Sequence, residues 1–522
     1  MGLFGKGVAR VCGVAAGRTA ADMAHRVSAV LRETPTIELR LDFLSSNRQR
    51  GRFLNWLRTS RSLKKSGVTL IATCRRRAGG GEFSGDAQAE LYWLMQAREA
   101  GCGWCDIEIE TVRELPEHYV RQFSMPPRIM LSVHDFGRTP QFPRALGSRR
   151  VVPAAGGRAG EFNAVKVAAL ARSIGDSVRL LEFGRRSKDT IAMPMGQIGL
   201  PGRVLALREG SPLVYAPVAE STAPGQVSLQ QLIHLYRAHE LTRRTRVFGI
   251  IGDPVGHSLS PLMHNTGFIA RRVDAVYLPF LVSDLGDFLR AVPALGIRGF
   301  SVTLPHKQRI MRHLAECDPL AADIGAVNTV TVGRDGSLHG CNTDYLGVLR
   351  SLEKKMKLAG SRVLVFGAGG AARAAAFALS RSGAHVLICA RRELAARQLA
   401  RAAGGDTVPR RALRSERFDA ILNATPIGMH PYGSISPLQA GELHCRIVMD
   451  LIYRPQQTRL LHLAASRGLA TVSGVEMFLA QGYAQWEIFA GQRAPQAEMR
   501  RVVVGALRSE TAGPLRISRG SR

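Results

Sequence analysis

The chain has 522 residues, 45% of them hydrophobic and 21% charged, which is enough for about three domains with several apolar cores. A single small binding module and wholesale disorder are both excluded. The formal net charge of +30 directs attention to anionic partners. Only nine of the 71 basic residues are lysines, and the arginines are spread over every predicted helix and loop. No stripe with interleaved aromatics is present, so no nucleic-acid partner is expected. The eight cysteines form no regular framework. No apolar run approaches the roughly 18 residues of a membrane span, and the stretch after Arg10 is too short for a signal-peptide core. A cytoplasmic protein without membrane association is expected.

Between residues 11 and 215 short apolar runs alternate with longer amphipathic ones. The short runs are Val11 to Val14, Thr36 to Leu41, Val68 to Thr73, Cys105 to Ile109, Arg128 to Val133, Asn163 to Ala168, Thr190 to Met193 and Pro212 to Tyr215. Eight strands with helices between most of them predict an α/β fold, a (β/α)8 TIM barrel over residues 1–240. Barrel chemistry sits at the carboxyl ends of the strands, so polar residues there matter most. In IELRLD, Glu38, Arg40 and Asp42 alternate with Ile37, Leu39 and Leu41. Arg75 follows the third strand, and Asp106, Glu108 and Glu110 alternate along the fourth. His134 ends the fifth, and Lys166 lies in the sixth beside Val165 and Val167. A lysine so placed is expected to be desolvated, with its pKa lowered and its amine free to attack a carbonyl. Cys102 and Cys105 form a lone CxxC pair without further ligands, so they are expected to be structural thiols, and no metal is expected.

These residues, with the motifs TCR, DIEIE, LSVHDF, AMPMGQIGLPGR and TAPGQ, resemble type I 3-dehydroquinate dehydratase over residues 8 to 240. The resemblance implies that Lys166 forms an imine with the substrate ketone. It implies that His134 removes the neighbouring proton and returns it to the departing hydroxyl. Glu38, Arg40 and Arg75 match positions that hold substrate hydroxyls, and Arg203, Thr222 and Gln226 match those around its carboxylate. Two positions depart from the family pattern. Gly79 stands where a glutamate usually lies near the catalytic histidine, with Glu82 as a candidate substitute, and Gly202 replaces the serine before the carboxylate-binding arginine.

After Gln226 a helix with Leu229, Leu232, Ile233 and Tyr236 on one side is expected to close the barrel. The next hundred residues again alternate strands and helices, which predicts an open α/β lobe over 241–345, completed by 475–510. GDPVGHSLSP, GFSVTLPHK, GAVNT and GCNTD together resemble shikimate dehydrogenase. By that resemblance Ser258 and Ser260 hold the substrate carboxylate and Tyr453 lies close to it. Thr303, Asn328 and Gln481 bind ring oxygens, and Lys307 with Asp344 forms the catalytic pair. Reduction of a ketone needs a proton delivered to the developing alkoxide, which a lysine held by a carboxylate can supply.

SRVLVFGAGGAAR places Gly367, Ala368, Gly369, Gly370 and Ala371 between an apolar strand and a helix, the context a dinucleotide pyrophosphate requires. This predicts a Rossmann lobe over 346–474. The second strand ends in Arg391 and Arg392 with no acid to take a ribose 2′-hydroxyl, so NADP(H) is favoured over NAD. NATPIGM adds Asn423 and Thr425 to the expected cofactor residues, and the helix GVEMFLAQGYAQWEIF returns to the substrate lobe. Residues 511–522 are expected to be a disordered tail. GFSVTLPHK resembles the plant bifunctional enzymes, which carry a dehydratase first and this dehydrogenase second. The resemblance implies dehydration of 3-dehydroquinate to 3-dehydroshikimate, followed by reduction to shikimate. The alternative is a quinate/shikimate dehydrogenase with an impaired or regulatory barrel.

Overall fold

The computed structural model describes residues 10–64, 67–115, 128–141, 150–151, 160–218, 227–429 and 432–511. It divides into two compact units, Met1–Thr245 with Pro279–Leu295, and Arg246–Leu278 with Gly296–Arg522.

The first unit is built on eight parallel strands: β1 (Val11–Ala15), β2 (Thr36–Arg40), β3 (Thr69–Thr73), β4 (Trp104–Glu108), β5 (Arg128–Asp135), β6 (Ala164–Leu170), β7 (Thr190–Met195) and β8 (Val214–Pro217). They pair in the order β8-β1-β2-β3-β4-β5-β6-β7, a nearly closed barrel. Helices follow where side chains can cap them: the Thr19, Ser46 and Asp86 side chains each accept from a first-turn amide, and Ser173 with Asp176 forms a capping box. Parity along β6 sorts its residues. Ala164 and Ala168 join an interior cluster with Ile71, Met130, Ile191 and Tyr215, whereas Val165, Val167 and Ala169 pack on Leu180 and Phe183 of helix Ile174–Arg185. Lys166 shares the interior parity.

Two expectations are corrected here. β4 ends at Glu108, and Glu110 lies in the first turn of the helix Ile109–Glu114 rather than on the strand. The segment after Gln226 is mainly a π turn over Gln231–Leu235, not a regular helix. Leu229 and Leu232 are nonetheless fully buried, and a side chain at Gly13 on β1 would meet Leu229 at 2.9 Å.

The second unit holds two sheets. The first has the strand order 275–281, 246–252, 297–302, 329–332, 338–341, 316–317 and mixes parallel and antiparallel pairs. After the strand 297–302 a turn over 304–308 leads into the 3-10 helix Arg309–His313. The second sheet is wholly parallel, ordered 406–407, 385–389, 362–366, 420–423, 447–450, 470–472. In sequence order that is 3-2-1-4-5-6, whose strand order reverses between 362–366 and 420–423. Val363, Val365, Val386 and Ile388 face helices Gly370–Arg381 and Glu393–Ala403, while Leu364, Phe366, Leu387 and Cys389 build the core on the opposite face.

Candidate active sites

Register places the barrel's polar residues on neighbouring strands at one level: Glu108 of β4 opposes Ser132 of β5, which opposes Lys166 of β6. Lys166 is 2% exposed. Its Nζ donates to Asp106 and lies 3.4 Å from Glu38 Oε1, over the Tyr215 ring at 4.6 Å. Asp106 also accepts from the Ser132 hydroxyl, and Glu38 accepts from Thr73 Oγ1 at 2.9 Å. Burial opposes the Lys166 charge, but Asp106 and Glu38 outweigh it and hold the pKa above the ordinary lysine value. The expectation of a lowered pKa is therefore corrected: apolar flanking residues face the helix layer, while the amine itself meets two carboxylates. Glu38 follows the same balance, since burial would raise it but Lys166, Arg40 and Arg75 bring it down to about 2.

A second cluster lies beside the first. Arg75 Nε donates to Glu108 Oε1 at 2.6 Å, and His134 Nδ1 is 2.9 Å from Glu108 Oε2. Burial, then the charges of Arg75 and Lys166, push the His134 pKa well below the ordinary histidine value. Arg40 is clamped by Asp42 through two bonds of 2.9 and 2.7 Å. Arg203, on helix Gly196–Leu205 after β7, is buried, and its Nε has no hydrogen-bond partner among the described residues. Burial pulls its pKa down to about 10. A buried guanidinium with an open donor is suited to take a carboxylate. Thr222 and Gln226 lie outside the described residues, as do residues 512–522.

Both positions that depart from the family pattern are among the described residues. At Gly202 a Cβ would lie 2.8 Å from Pro194 Cγ and 3.1 Å from Ser177 Cβ, so the space of a side chain is already filled. At Gly79 a Cβ would lie 3.4 Å from Glu108 Cγ. Glu82, the candidate substitute, is exposed, and its backbone amide donates to Asp42. Glu108, Asp106 and Ser132 received no role from the sequence, although the alternation of β4 had shown the two acids. Cys102 and Cys105 are free and buried, which pushes the Cys105 thiol up to about 12, away from reactive thiolate chemistry.

In the second unit Lys307 Nζ donates to Asp344 Oδ2 at 2.6 Å, and Asn328 Nδ2 donates to Asp344 Oδ1 at 2.8 Å. Asn342 Oδ1 accepts from the Asp344 amide at 2.9 Å and fixes the start of helix Asp344–Leu352. Gln485, which sequence reasoning missed, donates to the Asn328 carbonyl at 3.2 Å and accepts from Ser301 Oγ at 2.9 Å. Its helix, Gly474–Ala490, also carries Gln481. A Cβ at Gly347 would meet Met477 O at 2.8 Å and Gln481 Cβ at 3.4 Å, so the glycine lets this helix close on that of Asp344. Thr303 lies against Gly252, Ser260 is buried, and Ser258 Oγ accepts from the Ser260 amide at 3.2 Å. Tyr453 stacks on Phe478 at 4.6 Å, and the neighbouring Arg454 donates to the His257 carbonyl at 2.7 Å. Loop 453–455 is thereby tied to the loop before Ser258.

The nucleotide lobe fits a dinucleotide. Gly367 has φ +129°, and a Cβ there would lie 2.8 Å from the Ala424 carbonyl across the point where the strand order reverses. Among the described residues nothing would lie within 4 Å of a Cβ at Gly369 or Gly370, and no side chain caps the helix that begins at Gly370. Exposed amides at a helix N-terminus suit a pyrophosphate. Ala368 and Ala371 are half-buried in the same turn, and Arg391 and Arg392 are exposed after strand 385–389. Asn423 is fully buried and donates to Asp450 and Ile427 while accepting from Thr425. It shapes the loop from inside rather than presenting its own amide outward.

The fold and geometry define a two-site α/β chain: a barrel with a buried lysine beside a histidine–carboxylate pair, and a dinucleotide-type oxidoreductase with a Lys–Asp–Asn constellation. Family models match as type I 3-dehydroquinase over residues 11–243, shikimate dehydrogenase substrate binding domain over 250–330 and shikimate 5'-dehydrogenase C-terminal domain over 474–504. A chloroplastic bifunctional 3-dehydroquinate dehydratase/shikimate dehydrogenase of Arabidopsis thaliana is 34% identical over 495 residues, covering 91% of this chain and 79% of that protein. A shikimate dehydrogenase (NADP(+)) of Bacillus cytotoxicus is 40% identical over 274 residues, 50% of this chain and 99% of that protein. A shikimate 5-dehydrogenase of Thermus thermophilus, solved with NADP(H) and shikimate, shares 36% identity with a TM-score of 0.47, covering 50% of this chain and 99% of that one. The chain belongs to the family of bifunctional 3-dehydroquinate dehydratase/shikimate dehydrogenases. No described helix is long and apolar enough to cross a membrane.

Proposed function

We propose that this chain is a bifunctional cytoplasmic enzyme that dehydrates 3-dehydroquinate to 3-dehydroshikimate at the barrel and reduces that product to shikimate with NADPH at the second unit. The observation that carries the first half is Lys166, buried and held by Asp106 and Glu38 at the level of the His134–Glu108 pair. After the Lys166 ammonium passes a proton to Asp106, the free amine attacks the substrate ketone; that proton returns to the carbinolamine oxygen, which leaves as water and gives an iminium. His134 then takes the proton from the adjacent carbon, and the iminium accepts the electron pair. The same histidine protonates the hydroxyl leaving from the next carbon, and hydrolysis frees the conjugated ketone. Glu38, Arg40 and Arg75 bind hydroxyls, and Arg203, with Thr222 and Gln226, holds the carboxylate.

In the second unit the nicotinamide, when bound, supplies hydride to the ketone. Lys307 gives a proton to the oxygen as negative charge develops there. Asp344 keeps the ammonium in place, and Asn328 fixes the carboxylate. Ser258 and Ser260, with Tyr453 beside them, hold the substrate carboxylate, while Thr303, Asn328 and Gln481 take ring oxygens. Gly367, Gly369 and Gly370, with Ala368 and Ala371, admit the pyrophosphate; Arg391 and Arg392 bind the 2′-phosphate, and Thr425 lies on the loop Asn423 shapes. Borohydride reduction in the presence of 3-dehydroquinate should leave a covalent adduct on Lys166 by peptide mass. An unmodified Lys166 under turnover conditions would contradict the imine.

A further inference from the structure

We infer that Glu108 is the positioning carboxylate of the dehydratase base, holding His134 as the Nδ1–H tautomer so that Nε2 takes and returns the substrate proton. The inference rests on the reading of His134 as acid and base. Each acid of the cluster has its own partner. Asp106 is committed to Lys166 and Ser132, and Glu38 to Lys166 and Thr73. Asp42 clamps Arg40. Among the described residues Glu108 is the carboxylate within hydrogen-bond distance of His134, at 2.9 Å, and it is only 4% exposed.

An ionised carboxylate can only accept, so the imidazole nitrogen facing it carries the hydrogen and the other nitrogen keeps its lone pair. Glu108 is itself held from the far side by Arg75 at 2.6 Å, which leaves each oxygen with one partner and the carboxylate little freedom to turn. Position 79 adds no carboxylate to this arrangement because glycine has no side chain, and a Cβ there would lie 3.4 Å from Glu108 Cγ. Phe136 stacks on the imidazole at 6.0 Å and 17° and covers Gly80, where a Cβ would meet its ring at 2.4 Å. The groups facing His134 are Glu108 and Asp106 from β4, Arg75 after β3, Lys166 from β6 and Glu38 from β2. A carboxylate that fixes a histidine tautomer acts on proton transfer rather than on substrate affinity.

The test is steady-state dehydration of 3-dehydroquinate by the full chain without NADPH, comparing the native protein with E108Q and E108D. E108Q should lower kcat by about 100-fold or more with KM little changed, while E108D, which keeps a carboxylate, should retain clearly more activity. A native kcat in E108Q, a loss confined to KM, or equal losses in both variants would overturn the inference. Should E108Q not fold, the imidazole 15N shifts of His134 in the native protein decide: a hydrogen on Nδ1 is required, and one on Nε2 in the neutral ring overturns it. Absence of dehydration by the native protein would instead refute the reading of the barrel on which the inference stands.

Discussion

The ammonium of Lys307 and the carboxylate of Asp344 are 2.6 Å apart, and the carboxylate oxygen that does not face the lysine accepts from Asn328. Asp344 is thus oriented from one side and orients from the other. Asp344→Asn removes the charge that holds the ammonium and should lower kcat for 3-dehydroshikimate reduction by about 100-fold or more. The KM for NADPH should stay close to native. An Asp344→Asn enzyme reducing 3-dehydroshikimate at the native rate would remove this pair from the mechanism.

The dehydratase should keep its base in acid. Burial and the charges of Arg75 and Lys166 lower the His134 pKa, so the neutral imidazole persists as pH falls through the range where a free histidine protonates. The acid limb of kcat/KM should therefore lie well below about pH 6.5. A limb at or above that value would mean that the folded barrel does not disfavour the imidazolium.

Nucleotide choice should follow the guanidinium groups after strand 385–389. Arg391→Ala should weaken NADPH by about tenfold to a hundredfold, the range of about 1.5–3 kcal/mol for a hydrogen bond to a charged group. The KM for 3-dehydroshikimate should change little. Equal effects on both would take Arg391 out of the 2′-phosphate site.

Gly202 should not tolerate the serine that the family pattern favours. A Cβ there would sit 2.8 Å from the Pro194 ring, which cannot rotate away. Gly202→Ser should cost about 1–3 kcal/mol by overpacking, seen as a lower thermal midpoint for the barrel. An unchanged midpoint would show that Pro194 shifts at no cost.

Much of this was legible in the sequence, and the exceptions have physical causes. The eight apolar runs coincide with the barrel strands, and the alternation in IELRLD announced an ionisable face because parity along a strand is fixed. Lys166 was visible as a strand lysine, but its titration was misjudged: Val165 and Val167 point to the helix layer, whereas Asp106 and Glu38 reach it from β4 and β2. Such partners are distant in sequence and no local pattern brings them together. The same holds for Glu108 and His134, separated by 26 residues and joined by neighbouring strands. Gln485 went unnoticed because a glutamine inside a helical apolar pattern carries no signal of the Asn328 backbone it meets. Glu110 was misplaced for another reason, since acids suit both an exposed strand face and the first turn of a helix.

The central claim is that both sites work in one chain, one feeding the other. The most direct measurement is NADPH oxidation by the purified protein supplied with 3-dehydroquinate alone. The account predicts steady oxidation, abolished by Lys166→Ala and restored to that variant when 3-dehydroshikimate is supplied directly. No oxidation from 3-dehydroquinate, with 3-dehydroshikimate still reduced, would contradict it and leave the barrel without its reaction.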